Sequence, residues 1–175
     1  MIVNKLDAAS RQLNAAVRLF FAAGDLIAVH TLVGAASIIL SDLVEINKPN
    51  DSWDKHAQLA NHLSARVYYR IARKAQNFFK HAKSDPKGTL DFKETDTEGL
   101  MMCAILNCGE LQQLSTEMSV FQLWYLATRA DVLGDDYPFV KESLDLFPGI
   151  KSLRKEEQIT LGRKVLEKRL LELAA

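Results

Sequence analysis

LIAVHTLVGAASIILSDLVEI, residues Leu26–Ile46, decides the fold. Its apolar side chains fall around most of the circumference of a helix, so other helices have to surround it. That predicts an all-α bundle with this helix at its centre. His30, Gly34, Ser37, Ser41 and Glu45 recur at three- and four-residue spacing and form a thin small-or-polar strip. Small residues on that strip let a second helix approach closely. His30 on such a helix is either a satisfied core histidine or part of a pocket. His30, Ser37, Ser41, Asp42 and Glu45 interrupt the apolar run, which reads as too polar for a membrane span.

The flanking segments continue the helical pattern. Upstream, a helix is expected from about Lys5 to Ala23, capped by Asn4 and ended by Gly24, with Asp25 capping the central helix. Downstream, Lys48-Pro49-Asn50-Asp51 breaks the chain and a third helix starts near Ser52, with a bend at Asn61-His62. It leads into ARVYYRIARKAQNFFKHAKSDP, Ala65–Pro86. There Val67, Tyr68, Ile71, Ala72, Ala75, Phe78, Phe79 and Ala82 share one helix face, which predicts its burial. Arg70, Lys74, Asn77 and His81 line a narrow polar stripe beside Arg66, Arg73 and Lys80. Asn77 and His81 are four apart and lie side by side. Pro86 stops the helix, placing His81 near its C-terminus. A histidine there works as a general acid or base, or caps the last carbonyls.

A linker is expected over about 84–96. Thr95-Asp96-Thr97-Glu98 reads as a capping box for a helix to Leu114. Ser119 is the expected cap of a helix over Val120–Leu133. A short helix follows at Phe139–Phe147, then a charged one over Leu153–Leu173. The expectation is thus a single domain over 1–175, a bundle of about six or seven helices.

Lys+Arg and Asp+Glu both number 22, which argues against an obligate, strongly basic nucleic-acid binder. The charge is unevenly spread. Seven Lys and Arg and one acid lie between Arg66 and Lys87; beyond Lys87, eleven acids and three bases precede Ile150. The basic segment suits an anion or an acidic patch on a second copy. Cys103 and Cys108 sit five apart, cannot pair on one helix, and fit a reducing compartment. Met1–Asn14 has no uninterrupted apolar core of a signal peptide, so a cytoplasmic location is expected. His56 and His62 do not share a helix face, and no metal or cofactor is expected.

The phosphate-binding loop, the dinucleotide fingerprint, HExxH and the Gly-x-Ser-x-Gly elbow are all missing. Any chemistry falls to histidine, asparagine and basic side chains, a set suited to phosphate or phosphodiester groups.

AVRLFFAAGDLIAVHTLVGAASIILSDLV, Ala16–Val44, resembles the opening helices of HEPN domains, small helical bundles found with nucleotidyltransferases, toxins and phage-defence systems. KAQNFFKH, Lys74–His81, resembles the end of their helix carrying the Arg-x(4–6)-His ribonuclease motif. It also resembles a group of uncharacterised bacterial proteins with an NFFKHA-like segment followed by Asp-Pro. The likeness spans about Leu13–Pro86. It implies that His81 matches the motif histidine and Asn77 the polar residue after the arginine. The arginine itself is missing: the three allowed positions hold Gln76, Ala75 and Lys74, and Arg73 is one residue too far. Lysine lacks the planar two-pronged contact of arginine. In the active family the site forms across a homodimer, and non-catalytic members exist. The resulting expectation is a non-catalytic homodimeric interaction or regulatory module with a protein partner. The alternative is a metal-independent ribonuclease or nucleotide-binding protein of a toxin or defence type. It would use Asn77 and His81 on the scissile group and Arg70, Arg73 and Lys74 on phosphate. A third reading is a small-molecule-binding bundle built on His30.

Overall fold

The computed structural model describes residues 1–83, 85–134 and 136–174. Ser84, at the head of the expected linker, and Asp135, in the expected 134–138 loop, lie outside them. The described residues are all-helical, as the pattern around Leu26–Ile46 implies. In order the helices are α1 (Lys5–Phe21), α2 (Leu26–Asn47), α3 (Trp53–Ala60), α4 (Ala65–Ala72) and α5 (Lys74–Lys80). They continue with α6 (Glu94–Gly109), α7 (Thr116–Thr128), α8 (Ala130–Leu133), α9 (Val140–Leu146) and α10 (Lys155–Ala174), with a 3-10 turn at Ile150–Ser152. Among the described residues, ten helices replace the expected six or seven because the segment from Ser52 to His81 breaks into α3, α4 and α5. The expected Val120–Leu133 helix likewise divides into α7 and α8.

The α1–α2 hairpin is set by local chemistry. Asn4 Oδ1 accepts from the Asp7 N–H at 2.8 Å, and Asp25 Oδ1 accepts from the N–H groups of Ile27 and Ala28. Between the helices, Ala23 N–H donates to Phe20 O and Gly24 N–H to Leu19 O, closing α1 with a Schellman pair. The left-handed residue of that closure is Ala23, at φ 54°, rather than the glycine one position later.

The core joins α1, α2, α6, α7 and α10. Phe20, Phe21, Phe121 and Trp124 meet mostly edge to face, with ring centroids 5.3–6.1 Å apart. Burying each phenylalanine stabilises the fold by about 1.5–3 kcal/mol. The Trp124 indole N–H donates to Gln158 O at 2.9 Å, tying α7 to α10. Gly162 lets α10 lie on this cluster, since a Cβ there would stand 2.2 Å from Phe21 Cε1. Long and apolar as α2 is, half of its most apolar window is buried in this bundle.

Two caps differ from expectation. Ser115, not Ser119, caps α7, its Oγ accepting from the Met118 N–H. Helix α6 starts before Thr95, and Asp96 Oδ2 accepts from the Lys93 N–H. Thr97 and Glu98 are therefore buried helix residues rather than cap residues. Glu98, 0 % exposed, pairs with Arg129 at 2.6 Å and with Lys155. The Arg129 guanidinium lies 3.7 Å over the Tyr125 ring, and the Lys155 ammonium 4.6 Å over Trp124. One carboxylate thus clamps α6, α7 and α10.

The face predicted to be buried on Ala65–Ala82 is not. Only Ala75 of that set is buried, and Ile71 is 60 % exposed. The helix bends at Arg73 (φ −104°, ψ 9°). Tyr68 of α4 is anchored to Asp54, whereas α5 is anchored to α2 through Gln76 on Gly34. The small strip on α2 thus receives α5 where Gly34 provides room.

Ala23→Gly is expected to raise stability by about 0.5–1 kcal/mol, because glycine adopts the left-handed seat without a Cβ penalty; the urea midpoint measures it. Glu98→Ala is expected to cost about 3 kcal/mol, the low end for a broken buried ion pair because both cations keep some exposure. The same unfolding titration checks that loss.

Candidate functional site

Two adjoining hollows flank α5. The first is a cleft of ≈ 570 Å³ lined by Lys74, Asn77, Phe78, His81, Asp85 and Leu90, among others. It gathers three members of the expected polar stripe. Their spacing survives because α5 is helical through Lys80, and His81 is its C-cap, with its N–H on Asn77 O at 3.1 Å. The other two expected phosphate ligands are not in this cleft. The Arg73 guanidinium stacks 4.4 Å from the centre of the Tyr69 ring, and Arg70 lies across the bend on α4. Among the described residues, no salt bridge involves Arg66, Arg70, Arg73, Lys74 or Lys80. Asp85 lines the same cleft as Lys74 and His81, so the hollow carries one carboxylate beside its basic groups.

The second hollow is a cavity of ≈ 410 Å³ beneath α4, sharing Lys74 and Leu90 with the cleft. His30 lines it, so His30 and His81 belong to neighbouring hollows rather than to one pocket. The His30 ring is 2 % exposed. Its Nδ1 lies 3.1 Å from Thr97 Oγ1, and Phe79 and Phe92 approach it edge to face at 5.8 and 5.0 Å. Its Nε2 has no hydrogen-bond partner among the described residues. Burial pushes the His30 pKa below its ordinary value, while the Asp96 carboxylate opposes that shift.

A carboxylate that the sequence did not single out stands behind Tyr68 and Cys103 of this wall. Asp54 is buried, and its carboxylate accepts from Tyr68 Oη at 3.3 Å, Cys103 Sγ at 3.7 Å and Asn107 Nδ2 at 3.0 Å. Burial first, and the Asp54 charge second, push the Tyr68 hydroxyl and Cys103 thiol upward. A thiol held protonated is a poor nucleophile. Asp54 escapes notice in the sequence because an acid after Ser52-Trp53 reads as an ordinary first-turn residue. Among the described residues no cluster of His, Cys, Asp and Glu has the arrangement of a metal site.

No family model matches the chain, and no curated protein or solved structure gives a significant match.

The buried imidazole carries a pH signature. Its folded-state pKa lies below the ordinary 6.5, so the unfolded chain binds a proton first as pH falls. The neutral ring's contribution is present above about pH 6.5 and is lost as pH drops through the lower folded-state value. Wild type is expected to lose more stability between about pH 7.5 and pH 5 than His30→Gln, as read from urea unfolding at both values.

Proposed function

We propose that this protein is a non-catalytic, HEPN-like regulatory module that works as a homodimer and binds a phosphate group of a nucleotide or RNA. The binding site is the Lys74–Asn77–His81 cleft. The observation that carries this reading is the convergence of those three side chains on one hollow, where Lys74 makes no salt bridge among the described residues and Asp85 is the one carboxylate in the lining. Lys74 supplies the charge, Asn77 and His81 supply hydrogen bonds, and Asp85 accepts from ribose hydroxyls. Lysine and histidine at an open cleft suffice for binding a phosphate. Stabilising a pentavalent transition state asks for more cationic contact, and Arg73 is turned away onto Tyr69. A dimer that opposes two such clefts would double the positive field presented to a polyanion.

Binding of ATP and of a short single-stranded RNA should be followed by fluorescence anisotropy or calorimetry, with light scattering on each sample. A dimer is expected, with affinity falling steeply between about 50 and 200 mM salt and about tenfold weaker in Lys74→Ala. Folded protein that binds neither ligand at low salt removes this reading. RNA cleavage lost in folded Asn77→Ala and His81→Ala would replace it with the ribonuclease alternative.

A further inference from the structure

The charges of this chain balance overall but not locally. Residues 66–83 carry six Lys and Arg and no acid, whereas residues 131–145 carry five acids and one base, Lys141. The first run covers α4 and α5. The Tyr68 side of α4 is tied to Asp54, which leaves Arg66, Arg70 and Ile71 exposed. Among the described residues neither arginine makes a salt bridge. Asp91 and Asp96, which line the hollow beneath α4, belong to the linker and to α6, so α4 itself holds no acid.

The second run forms the corner between α8 and α9. Val132 is 87 % exposed and Phe139 59 %, and Tyr137, between them in the chain, is exposed as well. Asp136, Glu142 and Asp145 are exposed and make no salt bridge among the described residues, while Asp131 is held by Lys151. Phe139 is also strained. Its φ of 65° and ψ of 0° put a bulky side chain in the left-handed region, and its exposed ring packs too little within the fold to offset that cost. An aromatic ring held outward at a conformational cost is the kind of outlier that marks a contact. Apolar residues rimmed by unpaired acids fit a surface that is apolar at its centre and basic at its edge.

We infer that this corner docks on the α4 face of a second copy of the chain. Phe139 of one protomer packs against Ile71 of the other, and Asp136, Glu142 and Asp145 face Arg66 and Arg70. The two faces are opposite in charge and each exposes apolar surface, so one chain holds both halves of the contact. Its formal net charge of zero leaves no long-range repulsion between copies. A two-fold axis forms the contact twice, because in an isologous dimer each face meets its complement on the other protomer. The inference rests on the homodimer of the proposed function and names its surface. Lys74, Asn77 and His81 take no part in it, so phosphate binding is tested separately.

The test is sedimentation velocity of the full chain over a concentration series at low and high salt. Wild type is expected to dimerise, and less tightly at high salt. Phe139→Gly removes the ring and relieves the backbone. It is expected to weaken association by about tenfold while raising the urea midpoint, read at a dilution where both proteins are monomeric. Arg70→Glu and Glu142→Arg are each expected to weaken association by about tenfold. An equimolar mixture of those two variants should recover it, because each protomer then supplies the charge that the other lacks. Wild-type protein that stays monomeric leaves both faces to a different partner and overturns the proposal together with the homodimer, without touching ATP binding. A dimer unaffected by Phe139→Gly, or charge variants that the mixture does not rescue, overturns this surface and leaves the homodimer standing.

Discussion

Enclosing α2 is the constraint on which the rest of the structure depends. A helix apolar on nearly every side has to be covered on nearly every side, and no single partner can do that. Helix α1 covers it through a tight Schellman closure, α6 covers a second side, and α5 reaches a third at Gly34. Covering the last side is harder. α5 is a helix of only seven residues, and α4 is drawn off toward Asp54. The chain therefore bends at Arg73, and the space left beneath α4 becomes the His30 cavity. The two hollows beside α5 are both consequences of how the third side of α2 is closed.

The polar groups of the core follow from the same geometry. Glu98 would be prohibitively costly alone at zero exposure. With Arg129 and Lys155 on its two oxygens, and each cation against an aromatic ring, it becomes a joint between three helices. Asp54 is satisfied differently, by neutral donors from α4 and α6. His30 is satisfied on one nitrogen only. Gln12 Oε1 and Gln76 Nε2 are likewise buried without a partner among the described residues, so the matching of buried polar groups is complete for the carboxylates and not for the neutral side chains.

Much of the helical pattern was legible in the sequence, because it rests on contacts within a turn or two. Asn4 and Asp25 cap the helices expected of them, and the phenylalanines of α1 lie in the core. The polar stripe of Lys74, Asn77 and His81 was legible for the same reason: its members sit within two turns of one helix. Arg70 was expected in the stripe and Arg73 beside it; neither lines the cleft, because Arg70 lies across the bend on α4 and Arg73 stacks on Tyr69. Ser115 and Ser119 lie four residues apart, and the pattern alone pointed to the wrong one. Ser115 prevails with a further bond from its Oγ to Asn14 Oδ1 on α1, a contact 101 residues distant in sequence.

By itself, the sequence determined that the chain is helical, where α1 and α2 begin, and which side chains share the polar face of α5. Periodicity and caps act over a few residues, so the linear pattern contains them. Only the tertiary structure decided that much of the apolar face of Ala65–Ala82 lines two hollows rather than a packed core. It also decided that Asp54 meets Tyr68, Cys103 and Asn107, and that His30 and His81 open into different hollows. Those outcomes depend on where α4 and α5 dock on distant helices. Burial is a property of the assembled bundle, and no local pattern of residues encodes it.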